Sequence, residues 1–135
     1  MGVEWVRRPE GLGEPLGRYS HISIARGTEL ITVAGQVGIT SDGELAGDGS
    51  LGAQTAQAFR NVVTALASLG LGPKDVFKTT TLLVGNDNLD AFMQARTAIF
   101  EELFGDGEYP PNTLLVISRL VEERFLVEVE AFAMR

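Results

Sequence analysis

Residues 125–133 read FLVEVEAFA, and this stretch decides the architecture. Side chains alternate between the two faces of an extended chain. Phe125, Val127, Val129 and Ala131 therefore share one face, while Leu126, Glu128, Glu130 and Phe132 share the other. Apolar residues occur on both. TLLVIS, residues 113–118, has the same character: Leu115 and Ile117 point one way, Leu114 and Val116 the other. Strands of this kind want cover on both sides.

The rest of the chain offers two helices for that cover. The first spans about Leu51–Leu69, where Ala56, Phe59, Val63 and Leu66 recur at helical spacing and Val62 and Leu69 widen the stripe. Asp48 or Ser50 caps its start, and GLGP (70–73) ends it. The second, Leu89–Phe104, carries the stripe Leu89, Phe92, Met93, Arg96, Ile99, Phe100 and Leu103. Strands are expected at Glu4–Arg7, Ser20–Arg26, Leu30–Gly35, Asp75–Val84, Asn112–Ser118 and Arg124–Ala133. RGTE (26–29) reads as a hairpin turn joining the second and third, and a turn near Val121–Glu123 as one that pairs the last two.

The order is β-β-β-α-β-α-β-β in one domain, 1–135, an α/β (α+β) chain without linker or solenoid repeat. Two helices cannot cover both faces of a five- or six-stranded sheet. The uncovered apolar face predicts a subunit interface, hence a homo-oligomer.

Composition narrows the function. With 135 residues, 44% of them hydrophobic, the chain can bury a sizeable core. A net charge of −7 argues against nucleic acid or an anionic membrane as partner. No cysteine is present, which excludes disulfides and thiolate chemistry and fits a cytoplasmic protein. The single histidine, His21, excludes a two-histidine metal site. No apolar run reaches membrane length, and Met1–Glu14 does not read as a signal peptide. GQVG (35–38) and GLGPK (70–74) match no phosphate loop. Ser68 and Ser118 have no histidine in range for a triad except through His21.

Four side chains stand out. Glu128 and Glu130 project together from one strand face, a common pattern on a wet surface. Their neighbours Leu126 and Phe132 are apolar, however, and a half-buried carboxylate needs a partner or a raised pKa, the setting of a general acid or base. Arg96 interrupts the apolar stripe of its helix. It is either a snorkelling or interface-pairing arginine, or an anion clamp in a cleft between subunits. Tyr19, ending the PLGRYS loop, is either a packing residue or a cleft residue.

In order and spacing, PLGRYSH (15–21), ITVAGQVG (31–38), QTAQAFRNV (54–62), DVFKTTTLLV (75–84), PPNTLLVISRL (110–120) and VEVEAFA (127–133) resemble the RidA family, also called YjgF or endoribonuclease L-PSP, the reactive intermediate deaminases. The resemblance spans nearly the whole chain. It implies a chorismate-mutase-like fold, with a mixed sheet carrying two helices on one face, and a homotrimer with ligand clefts between subunits. It implies hydrolysis of reactive enamines and imines to 2-oxo acids and ammonia, without a cofactor. An arginine there clamps the substrate carboxylate and a glutamate handles water.

By that resemblance Tyr19 is the cleft tyrosine, Gly35 the glycine whose backbone lines the cleft, and Glu128 the water-handling glutamate. Arg96 falls about where many members carry asparagine. The family's Pro-Ala-Arg-Ser/Thr pattern reads Pro110-Pro111-Asn112-Thr113, so Asn112 replaces the clamp arginine, and Leu114 replaces a frequent cysteine. An amide cannot supply the charge of a bidentate guanidinium–carboxylate pair. The chain therefore resembles an arginine-lacking branch, for which the usual deaminase activity is not the first expectation. Three expectations follow. The first is a small-molecule enzyme or binder with Glu128 as acid/base. The second is a retained deaminase using Arg96. The third is a non-enzymatic trimer with a vestigial cleft. None involves nucleic acid, membrane or a cofactor.

Overall fold

A computed structural model describes residues 1–105 and 107–135. Along the chain run β1 (Gly2–Val6), β2 (Ile22–Arg26), β3 (Leu30–Val37), α1 (Leu51–Ala67), β4 (Val76–Val84), α2 (Leu89–Phe104), β5 (Asn112–Ile117) and β6 (Val127–Met134). Short 3-10 turns, Pro73–Asp75 and Asn86–Asn88, precede β4 and α2.

The strands form two sheets. Four make a mixed sheet in the order β3-β6-β4-β5, with β4 and β5 parallel and the other pairs antiparallel. The remaining two, β1 and β2, pair with each other. They are pinned beside the start of β4, where Trp5 Nε1 donates to the Val76 carbonyl at 2.9 Å and the Ser23 hydroxyl donates to that of Phe77 at 2.6 Å. The expected class and helices are present, but the expected strands divide four and two.

Two expected pairings are wrong. RGTE does not close a hairpin between β2 and β3. Instead the N–H groups of Thr28 and Glu29 both donate to the Arg135 carbonyl at 2.7 Å, so this turn holds the C-terminal end of the chain. The last two strands do not pair through residues 121–123 either: β5 lies on the sheet edge against β4, and β6 passes between β3 and β4. Burial explains that central place. The inward residues Val127, Val129, Ala131 and Ala133 of β6 are all fully buried, the small alanines letting a helix lie close.

One face of the mixed sheet is covered. Helix α1 lies over β3 and β6, and α2 packs on α1. Phe59, Val62 and Leu66 of α1 and Phe92, Ile99 and Phe100 of α2 join the inward side chains in one core. Ser50 caps α1 by accepting from the Ala53 N–H at 3.2 Å. Asp48 in turn accepts from the Ser50 N–H at 2.9 Å, and the bonds from Ser50 hold its carboxyl below the usual range. Gly70 and Gly85, at φ 75° and 93°, take the left-handed turns that end α1 and β4.

The opposite sheet face carries no helix. It presents Glu128, Glu130 and Phe132 from β6, Leu82 beside Glu128, and Leu115 beside Leu82. Leu115 is 49% exposed and Leu30, which pairs with Met134 on the far edge, 63%.

Candidate functional site

A cleft of about 380 Å³ opens where the edge strand β5 meets α2 and the loop before β2. Asn112, Thr113 and Leu114 form its floor, Met93 and Arg96 one wall, and Leu16, Gly17 and Tyr19 the other. None of the lining residues among the described ones is acidic. Leu114 lines the floor without filling the space.

The loop is held in place by Arg18. Its Nε donates to Thr97 Oγ1 on α2 at 3.1 Å, and one terminal nitrogen donates to the Tyr109 hydroxyl at 2.8 Å. Tyr109 is itself buried and stacked on Phe100. Within the loop, the Leu16 N–H donates to the Tyr19 hydroxyl at 3.2 Å, and Arg7 donates to the Tyr19 carbonyl at 3.3 Å. Among the described residues no acceptor takes the Tyr19 O–H proton.

Arg96 is the anomaly. It is 3% exposed, yet among the described residues it has no carboxylate partner and its Nε has no hydrogen-bond partner. One terminal nitrogen meets the Met93 sulfur at 3.0 Å, a weak acceptor. The guanidinium carbon lies 5.4 Å from the Phe92 ring centre and 5.9 Å from that of Phe100. Gly17 makes room for it, since a Cβ there would stand 2.7 Å from a terminal nitrogen. Burial, and after it the charge of Arg18, push the guanidinium below its ordinary pKa, with Tyr19 pulling the other way.

Asn112 is anchored from below. Its Oδ1 accepts from Thr79 Oγ1 at 2.9 Å and from Thr81 Oγ1 at 3.0 Å. Both threonines are buried on the helix-covered face of β4.

Glu128 and Gly35 lie elsewhere. Asn112 pairs with Thr79, whose partner on β6 is the buried Ala131, whereas Glu128 pairs with Leu82, whose partner on β5 is Leu115. By strand alternation the amide and the carboxylate point to opposite faces. Gly35 sits in a bulge of β3, where the register slips between Val33 and Gln36. A Cβ on Gly35 would collide with the Glu128 carboxyl group, its Cδ only 2.6 Å away. Neither Glu128 nor Glu130 forms an ion pair among the described residues.

A single protomer thus brings Tyr19, Arg96, Asn112 and Leu114 together and keeps Gly35 and Glu128 as a separate pair on the open face. Sequence reasoning missed Gly17, Met93, Thr79 and Thr81. Met93 stood in the helix stripe and Gly17 in the quoted loop. The two threonines looked only like strand formers until their pairing with Asn112 was known. Among the described residues no cluster of His, Asp and Glu could hold a metal, and no helix is long and apolar enough to cross a membrane.

This mixed sheet, with two helices on one face and an edge cleft, defines the YjgF type of α+β protein. The chain belongs to the family described as Endoribonuclease L-PSP, whose model matches residues 11–135. An uncharacterized protein of Streptomyces coelicolor is 35% identical over 113 residues, 84% of this chain and 79% of that one. A Yersinia pestis structure, YyfB of the conserved Rid protein family, is 28% identical, superposes with a TM-score of 0.85 and covers 100% of both chains. The Escherichia coli YjgF gene product, 23% identical, has the same fold at a TM-score of 0.68, over 96% of this chain and 93% of its own.

Proposed function

We propose that the chain forms a homotrimer that binds and hydrolyses a small carboxylate-bearing metabolite in clefts between subunits. The observation that carries this is Arg96: a buried guanidinium, its Nε unpartnered, lining a cleft that holds no acid among the described residues. An unpaired buried charge is unfavourable and persists where a ligand neutralises it. A bidentate carboxylate is the natural complement. Arg96 thereby restores, from α2, the positive charge that Asn112 does not supply.

The reaction class consistent with such a site is deamination of an imine. Water adds to the imine carbon, the C=N electron pair moves to nitrogen, and the C–N bond then breaks to release ammonia and leave a 2-oxo acid. Among the described residues, one protomer's cleft contains no base. Glu128 lies on the open sheet face with Leu82 and Leu115 beside it, and a second copy packed on that uncovered face would receive Glu128 at its own cleft. There it would position and deprotonate water. The open, unplugged cleft favours this over a vestigial one.

The test supplies the imine with a threonine dehydratase and follows ammonia release. The intact protein accelerates release over buffer, and Arg96→Gln and Glu128→Gln each abolish the acceleration. No acceleration by the intact protein overturns the hydrolytic assignment. Sedimentation tests the assembly: a trimer is expected, and a monomer at working concentration overturns it.

A further inference from the structure

We propose that Thr79 and Thr81 are positioning residues that lock the Asn112 amide with its NH2 group toward the cleft, so that the site selects carboxylates bearing a second hydrogen-bond acceptor, such as 2-oxo acids, and rejects those bearing an ammonium group there. This rests on the carboxylate assignment of the same cleft and deepens it.

The two ends of an amide differ only in what they can bond, so the surroundings decide its orientation. Thr79 is 3% exposed and Thr81 fully buried. Each hydroxyl carries one proton that needs an acceptor. With Oδ1 facing them, both protons are placed, at 2.9 and 3.0 Å, and both lone pairs of one oxygen are used. With the amide reversed, both protons would need other acceptors. Thr79 would have only the Pro111 carbonyl, at 3.5 Å, and Thr81 would have none among the described residues. The reversed state is therefore disfavoured by a stranded buried donor.

The consequence reaches the ligand. Since Oδ1 is committed to the threonines, Asn112 offers the cleft two N–H donors and no acceptor. Arg96 offers only donors, and the free proton of Tyr19 is a third donor. A carboxylate with an adjacent carbonyl finds a donor for every oxygen. A 2-ammonio acid sets three more N–H donors against the Asn112 NH2 group, where no acceptor among the described residues of this protomer receives them.

The test titrates the intact protein with butanoate, 2-oxobutanoate and L-2-aminobutanoate by calorimetry. Wild type should bind 2-oxobutanoate about tenfold more tightly than butanoate, and the amino acid more weakly than either, one well-made hydrogen bond being the difference. Thr79→Val/Thr81→Val frees the amide to turn and should bring the three affinities to within about threefold of one another. Thr79→Ser/Thr81→Ser keeps both hydroxyls and should keep the preference. That ratio does not follow stability, so a variant that is merely looser in its fold leaves it unchanged. If wild type binds all three equally, or the valine pair keeps the full preference, the lock is overturned while the Arg96 site stands. Absence of binding by every carboxylate removes the Arg96 site and this inference with it.

Discussion

Replacing Arg96 with methionine should make the ligand-free protein more stable while removing its ligand. The direction follows from the site. Arg96 is 3% exposed, and among the described residues its Nε is unpartnered and its one hydrogen-bond contact is the Met93 sulfur at 3.0 Å. A buried charged donor left unpaired costs about 1–3 kcal/mol. The ring contacts with Phe92 and Phe100 offset part of this, roughly 0.5–2 kcal/mol. Methionine fills a similar volume and keeps favourable contacts with both rings. The net expectation for Arg96→Met is a gain of about 1–2 kcal/mol, or about 3–6 °C in Tm for a chain of 135 residues. A ligand reverses the ranking: at a hundred times Kd it adds about 2.7 kcal/mol to the wild type and nothing to the variant. The assay is urea and thermal unfolding of both proteins at equal concentration, with and without 2-oxobutanoate. A ligand-free variant less stable than wild type by more than about 1 kcal/mol would refute the reasoning, because Arg96 would then be paired with a carboxylate of another subunit.

Further outcomes are expected. Gly35→Ala places a methyl group where the Glu128 carboxyl lies. Imine hydrolysis should fall about tenfold or more in kcat, with Tm nearly unchanged because Gly35 has no positive φ. Glu128→Gln should abolish hydrolysis and leave 2-oxobutanoate affinity within about threefold of wild type, which equilibrium titration of the inactive protein checks. Carboxylate binding should be flat from about pH 6 to about pH 9. Burial holds the Arg96 guanidinium below its ordinary pKa, so folding stability gains from its deprotonation only as pH rises toward that lowered value. Ser50→Ala removes the cap bond to Ala53 and should lower stability by about 1 kcal/mol without changing binding, read by urea midpoint.

The sequence carried the helices and the anomaly better than the sheet. Leu89–Phe104 was legible to the residue because its apolar stripe has one period and Gly105 follows it. Arg96 was visible as a cation in that stripe, and burial turned an irregularity into an unpartnered guanidinium. Strand pairing was not legible. The residues between β5 and β6 suggested a turn, yet β6 enters the sheet centre because its small and branched inward side chains fit under α1. The small or branched residues at every second position of 127–133, Val127, Val129, Ala131 and Ala133, were a signal of a central strand, but partner choice is nonlocal and no spacing encodes it. The same limit hid the Asn112 anchor. Thr79 and Thr81 lie more than thirty residues from Asn112 and become neighbours only through the parallel β4–β5 register. It also hid the division of the site, since the opposite facing of Glu128 and Asn112 depends on which residues stand side by side.

A crystal structure of the protein with 2-oxobutanoate tests the central claim most directly. The ligand carboxylate should lie in the cleft between Tyr19, Met93 and Asn112, within about 2.7–2.9 Å of the Arg96 guanidinium nitrogens. The claim is contradicted if Arg96 is found bound to a carboxylate of another subunit while the 2-oxo acid lies elsewhere or does not bind.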